Sequence, residues 1–159
     1  VYFRGTVRVA QGGERVLAWL PSEGSSVVAT QDELLLPEGM EPARVRWDLV
    51  LRAVWVDEAV DLTVQPAAGG RPLQLHVPVS GAADTLAGVV RERVNASIVI
   101  QHHAALEGDA GARFVARRVP GSTDLRWSVV FDPGLDPSDP HLRARADDAL
   151  AEFRSSLGI

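Results

Sequence analysis

Apolar and polar residues alternate in several short segments of this sequence, and this period of two constrains the fold more than any other feature. The alternation is clear in residues 49–56, 60–64 and 73–77. Successive side chains of a strand point to opposite faces of a sheet, so the pattern predicts half-buried strands. The Gly69-Gly70 pair lies between two of these segments and favours a hairpin that joins them.

Further short apolar segments extend the pattern towards the start of the chain. Gln31 and Asp32 connect two of them, and a polar two-residue connection is typical of a tight hairpin. We therefore predict a meander of short antiparallel strands over residues 1–80. Residues 1–9 are either part of this fold or part of a longer segment. The additional strand candidates are residues 6–9, 16–20, 26–30, 33–36 and 45–47.

The period changes after Gly81. Leu86, Val90 and Val94 recur at helical spacing, which predicts an amphipathic helix over residues 83–95. A second helix is predicted at the end of the sequence, where Ser138 or Asp139 can cap the first turn and Pro140 suits its first position. The apolar stripe of this helix consists of Leu142, Ala146, Ala149, Leu150 and Phe153.

A second group of strands is predicted between the two helices. Residues 97–106 are rich in β-branched residues and alternate, which favours a strand, although a helix that continues to His103 is an open alternative. Residues 112–119 and 125–131 form a hairpin. The sequence thus predicts an α+β fold with two parts, residues 1–95 and 96–159, that pack as one unit.

Two segments of the first part resemble bacterial pleckstrin-homology (PH) and GRAM-type domains. Residues 27–36 (VVATQDELLL) are similar to the hairpin of that family in which a threonine and a polar turn precede an apolar strand. Residues 45–54 (VRWDLVLRAV) are similar to the segment that follows. The resemblance implies two nearly orthogonal sheets that form a barrel, with a helix at one open end. Residues 97–159 resemble β-hairpin and helix tails of actinobacterial proteins.

The PH-like resemblance implies binding rather than catalysis. Some such domains bind phosphoinositide headgroups, and others bind peptides or proteins. Headgroup binding usually draws on basic residues in the loop between the first two strands. Here that loop, residues 20–26, contains Glu23 and no basic residue, so we do not expect membrane lipid to bind there.

The charge and the composition exclude several other classes of function. All 16 basic residues are arginine, and the sequence contains 21 acidic residues. The resulting net charge of −5 disfavours nucleic acid and acidic membranes as partners. The absence of cysteine excludes disulfides, thiolate metal sites and a cysteine nucleophile. No apolar run approaches the roughly 20 residues of a membrane-spanning helix, so we expect a cytoplasmic protein. We expect no cofactor and no bound metal.

One group of side chains suggests a ligand site. Arg113 and Arg117 share a face of one predicted strand, and Arg126 on the paired strand faces the same way, so three guanidinium groups can converge. Planar guanidinium groups suit carboxylate or phosphate ligands, although the same residues can form an ordinary solvated face. His102 and His76 are the histidines that such a site would use. His102 and His103 point to opposite faces if their segment is a strand, so they do not share a metal ion.

Tryptophans 47 and 55 allow two interpretations. Large aromatic side chains usually pack in a core. If Trp47 and Trp55 lie on an exposed edge instead, they mark a protein interface, where aromatic residues are enriched. No serine lies in a nucleophile-elbow motif and no phosphate-binding loop is present, so the sequence favours a non-catalytic binding or assembly protein, such as an adaptor or a homodimer. The alternative is a small-molecule or anion-binding protein, possibly an enzyme, with a site near His102 and Arg113.

Overall fold

The computed structural model describes residues 13–159 and the backbone of two earlier strands, β1 (Tyr2–Arg4) and β2 (Val7–Val9). These two strands pair as an antiparallel hairpin. Of the strand predicted at residues 6–9, Thr6 lies outside the described residues. The chain divides into two compact units, Val1–Ser97 (unit 1) and Ile98–Ile159 (unit 2).

Unit 1 contains two further antiparallel sheets, which are open, and one helix. Each sheet is a meander in which strands that follow each other in the chain are neighbours. The helix, α1 (Asp84–Ser97), follows the last of these strands. The four-stranded sheet consists of β3 (Val16–Ser22), β4 (Ser25–Thr30), β5 (Glu33–Leu35) and β6 (Arg44–Arg46). The three-stranded sheet consists of β7 (Val50–Val56), β8 (Ala59–Val64) and β9 (Leu73–Pro78).

The two sheets and the helix of unit 1 share one hydrophobic core. Val27 and Leu34 come from the four-stranded sheet, Leu62 from the three-stranded sheet, and Leu86 and Val90 from α1. All five side chains are almost completely buried. The spacing of Leu86 and Val90 placed these residues on one helical face, and that face packs into the core as predicted.

A short 3-10 helix, Trp47–Leu49, separates β6 from β7. The sequence pattern assigned Trp47 to the preceding strand and Leu49 to the following one, and both assignments are wrong. Trp47, Asp48 and Leu49 are all buried. The chain turns here instead of continuing as a strand, and this turn directs the side chains away from the strict alternation that the sequence pattern assumes. Trp47 Nε1 donates to Thr30 O at 3.1 Å and fixes this turn against β4.

An irregularity between Val50 and Arg52 changes which face of β7 each side chain occupies. The alternation predicted that the side chain of Val50 points to one face of β7 and the side chains of Ala53 and Trp55 point to the other. In the structure all three pack in the same core. A bulge adds one residue to one strand of a pair and thereby reverses the alternation, so a simple period of two fails across it.

Unit 2 consists of one open antiparallel sheet and one helix. Its strands are β10 (Ile98–Glu107), β11 (Ala110–Arg118) and β12 (Leu125–Phe131), with β11 in the centre. The strand predicted over residues 97–106 is confirmed from Ile98 onward, whereas Ser97 ends α1, and the alternative helix to His103 is wrong. The observed elements confirm the α+β class and the two predicted helices.

The last helix, α2 (Pro140–Ser156), covers one face of this sheet. Asp139 caps it, because its Oδ1 accepts a hydrogen bond from His141 N at 2.8 Å. Leu142 and Ala146 of α2 pack with Phe114 in a second core. No helix in the part of the chain that the structure describes is long and apolar enough to span a membrane.

Candidate functional site

The two adjacent histidines of β10 lie on opposite faces of the sheet of unit 2. His102 pairs with Phe114 of β11 and lies on the face that α2 covers. Its ring stacks on Phe153 of α2, with the ring centroids 4.1 Å apart and the planes at 12°. His102 therefore forms part of the contact between β10 and α2, although its side chain is still exposed.

His103 lies on the other face and is hydrogen-bonded there. It pairs with Arg113 of β11 in the sheet register. Its Nε2 is 2.8 Å from Oδ2 of Asp132, the residue that follows β12. The same Oδ2 accepts a hydrogen bond from Gly111 N at 2.8 Å. His103 of β10, Arg113 of β11 and Asp132 after β12 thus form a small polar group.

The surroundings of Asp132 favour its ionised form. The hydrogen bond from the His103 ring lowers the pKa of Asp132 most, and the Gly111 N–H and the charges of His103 and Arg113 lower it further. An ionised carboxylate accepts hydrogen bonds and cannot donate them, so His103 Nε2 is the donor. The pair therefore fixes which ring nitrogen of His103 carries a proton and holds the ring in place.

Gly111 is required at its position beside this polar group. A Cβ atom built on Gly111 would lie 1.8 Å from the backbone oxygen of Ala104. The strand β10 therefore approaches β11 here more closely than any side chain allows. Asp132 N also donates to Gly111 O at 2.9 Å, so Gly111 and Asp132 bind each other through two hydrogen bonds.

The three arginines predicted to converge share one face but occupy two places on it. Arg117 and Arg126 are directly opposite each other in the register of β11 and β12. Arg113 is four residues from Arg117, which corresponds to about 13 Å along a strand. Arg117 is buried, whereas Arg113 is exposed beside His103. Arg113 is thus a neighbour of His103 and not of His102, which lies across the sheet.

His76 lies in unit 1, where it pairs with Asp61 across β8 and β9. Its Nδ1 is 2.6 Å from Asp61 Oδ1, and both side chains are exposed. His76 and His102 therefore belong to different units, and each has its own contacts within its unit.

The two tryptophans considered as interface residues contribute to the core of unit 1. Trp47 is 3% exposed and makes the hydrogen bond to Thr30 described above. Trp55 is partly buried and packs against the same core. Trp47 therefore does not lie on the exposed edge that its interpretation as an interface residue requires.

The strand β10 forms an exposed edge of the sheet of unit 2. Residues 98–106 contain no Asp, Glu, Arg, Gly or Pro. The pairing with β11 is regular from Ile100 to Ala105, between two irregularities. Five of the nine residues in 98–106 are exposed, namely Val99, Gln101, His102, His103 and Ala105.

The other edge strands of the three larger sheets carry features that hinder the addition of another strand. Proline lacks the N–H that a sheet ladder needs, and charged side chains at an edge disfavour pairing. Among the described edge strands of these sheets, β10 contains neither proline nor Asp, Glu or Arg before its final residue, Glu107. The features of the others are Pro21 in β3, Arg44 and Arg46 in β6, Arg52 in β7, Pro78 in β9 and Arg126 in β12.

The sequence analysis missed Asp132, Gly111 and the uncharged edge. Asp132 directly follows the last residue of a predicted apolar strand, so its position at the sheet end could have been inferred. The absence of charge from residues 98–106 is visible in the sequence. That this stretch lies at a sheet edge is not visible there, because strand order is a tertiary property.

Comparison with protein-family models, curated proteins and solved structures finds no match to this chain.

Proposed function

We propose that this protein is a non-catalytic binding or assembly protein that acts through protein–protein contacts at the β10 edge. The observation that carries the proposal is the exposed, uncharged stretch from Ile100 to Ala105 with its regular backbone. An edge strand presents a row of unpaired N–H and C=O groups, and a strand of another chain satisfies them by adding to the sheet. The side chains of alternate residues then contribute specificity.

In this proposal unit 1 is a PH-like domain that acts in the cytoplasm, and its two sheets correspond to the barrel of that family. The order of elements supports this assignment, because a four-stranded meander, a three-stranded meander and a helix follow each other. The shared core of the two sheets and α1 also supports it. Unit 2 supplies the edge strand and is the part that contacts a partner.

A random-peptide phage library tests this function without knowledge of a natural partner. We expect the purified protein to select peptides with alternating apolar residues that add to β10. Gln101→Lys places a charge in the centre of this edge and should abolish peptide binding. Leu73→Lys is the matched control, because Leu73 is 43% exposed and lies on β9, an edge strand of unit 1. Peptides that bind the Gln101→Lys variant as well as the unchanged protein would contradict the proposal.

A second candidate function is the binding of a small anion by Arg113 and His103. The cross-strand register of these two residues favours it, because it places an exposed guanidinium group beside an imidazole ring. Titration calorimetry with phosphate and with small dicarboxylates tests this function. We expect Arg113→Gln to weaken binding about tenfold or more, whereas Arg145→Gln on the exposed surface of α2 should leave it unchanged. Equal binding by the two variants would exclude this site.

A further inference from the structure

The chemistry of the β10 edge indicates which partner it takes. We infer that the strand added to β10 is β10 of a second copy of this chain, so that the two sheets form one six-stranded sheet. This inference rests on the proposed function. Residues 98–106 contain no Asp, Glu or Arg, so β10 has no such charge to match on a foreign strand, and it brings no such charges together when it pairs with its own copy. Homodimers with two-fold symmetry are also the commonest assemblies.

Strand geometry limits the ways in which β10 can pair with itself. Alternate residues of β10 direct their N–H and C=O groups to β11, and the residues between them direct these groups outward. In an antiparallel pair, outward-directed residues of one strand are opposite outward-directed residues of the other. The residue numbers of two β10 positions that pair between the copies therefore differ by an even number. A two-fold axis must therefore pass between one residue and the same residue of the second copy.

Two registers use the regular stretch from Ile100 to Ala105 best, because in each of them five of its six residues pair within the stretch. In one, the axis passes beside His102, and Gln101 lies opposite the second copy's His103. In the other, the axis passes beside His103, and Gln101 lies opposite the second copy's Ala105. Residues directly opposite each other have Cβ atoms roughly 4.5–5.5 Å apart. One of the two histidines is thus adjacent to its own copy in either register.

The axis lies perpendicular to the sheet, so both α2 helices cover the same face of the joined sheet. His103 and Asp132 of both copies then lie together on the opposite face. The contact is short, because six residues of a strand extend over about 20 Å. Small contacts give weak association. We therefore expect a reversible dimer whose fraction rises with protein concentration.

The oligomeric state of the purified protein is the first test. Sedimentation velocity over a range of concentrations should show a monomer–dimer equilibrium. Gln101→Lys should raise the dissociation constant about tenfold or more, because two added charges lie at the contact. Leu73→Lys should leave the dissociation constant unchanged. A dimer that is equally stable in the Gln101→Lys variant would overturn the inference, since it would use another surface.

Single cysteines determine the register, because the chain contains no cysteine of its own. Four variants are compared under mild oxidation, namely Gln101→Cys, His102→Cys, His103→Cys and Ala104→Cys. Only the residue beside the two-fold axis lies close enough to its own copy to form a disulfide, because Cα atoms more than about 7 Å apart cannot be bridged. We expect rapid crosslinking at residue 102 or at residue 103. Equal crosslinking of all four variants, or of none, would contradict the inferred pairing.

The outcomes separate this inference from the proposed function. If the protein stays monomeric and does not crosslink, but phage peptides still bind in a manner that Gln101→Lys abolishes, then the partner is not a second copy and the proposed function stands. If neither the dimer nor peptide binding depends on Gln101, then both are wrong.

Discussion

At the scale of single residues, Asp132 connects all three strands of unit 2 through its hydrogen bonds. Its Oδ2 binds both His103 Nε2 and Gly111 N, and these bonds link the end of β12 to β10 and β11. Both hydrogen bonds are stronger with the ionised carboxylate than with the protonated carboxyl group, because the negative charge makes the oxygen a better acceptor. The stability of this corner should therefore depend on pH.

We expect Asp132 to contribute stability at neutral pH that is lost in acid. Its pKa in the folded protein is lowered from the ordinary value of 3.8, so the unfolded chain binds a proton at a higher pH than the folded chain does. The contribution of Asp132 to stability is therefore complete at pH values above its ordinary pKa and disappears as the pH falls through the lowered pKa of the folded protein. Thermal unfolding of the unchanged protein and of Asp132→Asn, followed from neutral pH into acid, measures this contribution.

The difference in melting temperature between these two proteins should be largest near neutral pH and shrink below about pH 4. Asp109→Asn serves as the control, because Asp109 is an exposed aspartate in the turn between β10 and β11. A difference that stays constant down to the most acidic pH would show that the effect of Asp132→Asn does not depend on the charge of the carboxylate.

At the scale of elements, α2 shows how local signals define a helix. Asp139 caps its first turn, Pro140 occupies its first position, and Leu142 and Ala146 lie on one face. These signals are short-range, so the sequence predicted the helix and its start. The packing of its apolar face on β10 and β11 then holds the helix in place.

Asp139→Ala should lower the free energy of unfolding by about 1 kcal/mol, because the backbone N–H of His141 loses its acceptor. Urea denaturation followed by circular dichroism measures this loss. Asp147→Ala is the control, since Asp147 is exposed in the middle of the same helix, where alanine is favourable. An equal or larger loss in the control would mean that the cap does not stabilise α2.

The strands show where local signals fail at this scale. The alternation predicted β8 and β9 well, because both strands pair regularly over their whole length. It failed at Val50, where an irregularity reverses the faces of β7, and at Trp47, which lies in a 3-10 helix. Both departures involve neighbouring strands, because the irregularity in β7 is defined by its pairing with β8 and Trp47 is hydrogen-bonded to Thr30 of β4. A pattern of apolar and polar residues along one segment contains no information about them.

At the scale of the whole molecule, the chain consists of two units with separate hydrophobic cores. The functional proposals concern unit 2, whose sheet has one face covered by α2 and an exposed edge at β10. The α2 face holds His102, and the other face holds His103 with Arg113. A test on the full chain therefore separates the two candidate functions, because Gln101→Lys changes the edge and Arg113→Gln changes the anion site.

The sequence by itself determined the class of the fold, most strands, both helices and the absence of cysteine chemistry. These properties follow from the alternation of side chains, from helical spacing and from composition, which are local. Tertiary structure decided that Trp47 is in the core, that Asp132 joins His103, and that β10 is an edge strand. Each of these facts depends on which segments lie side by side, and residues far apart in the chain determine that order through burial and hydrogen bonding.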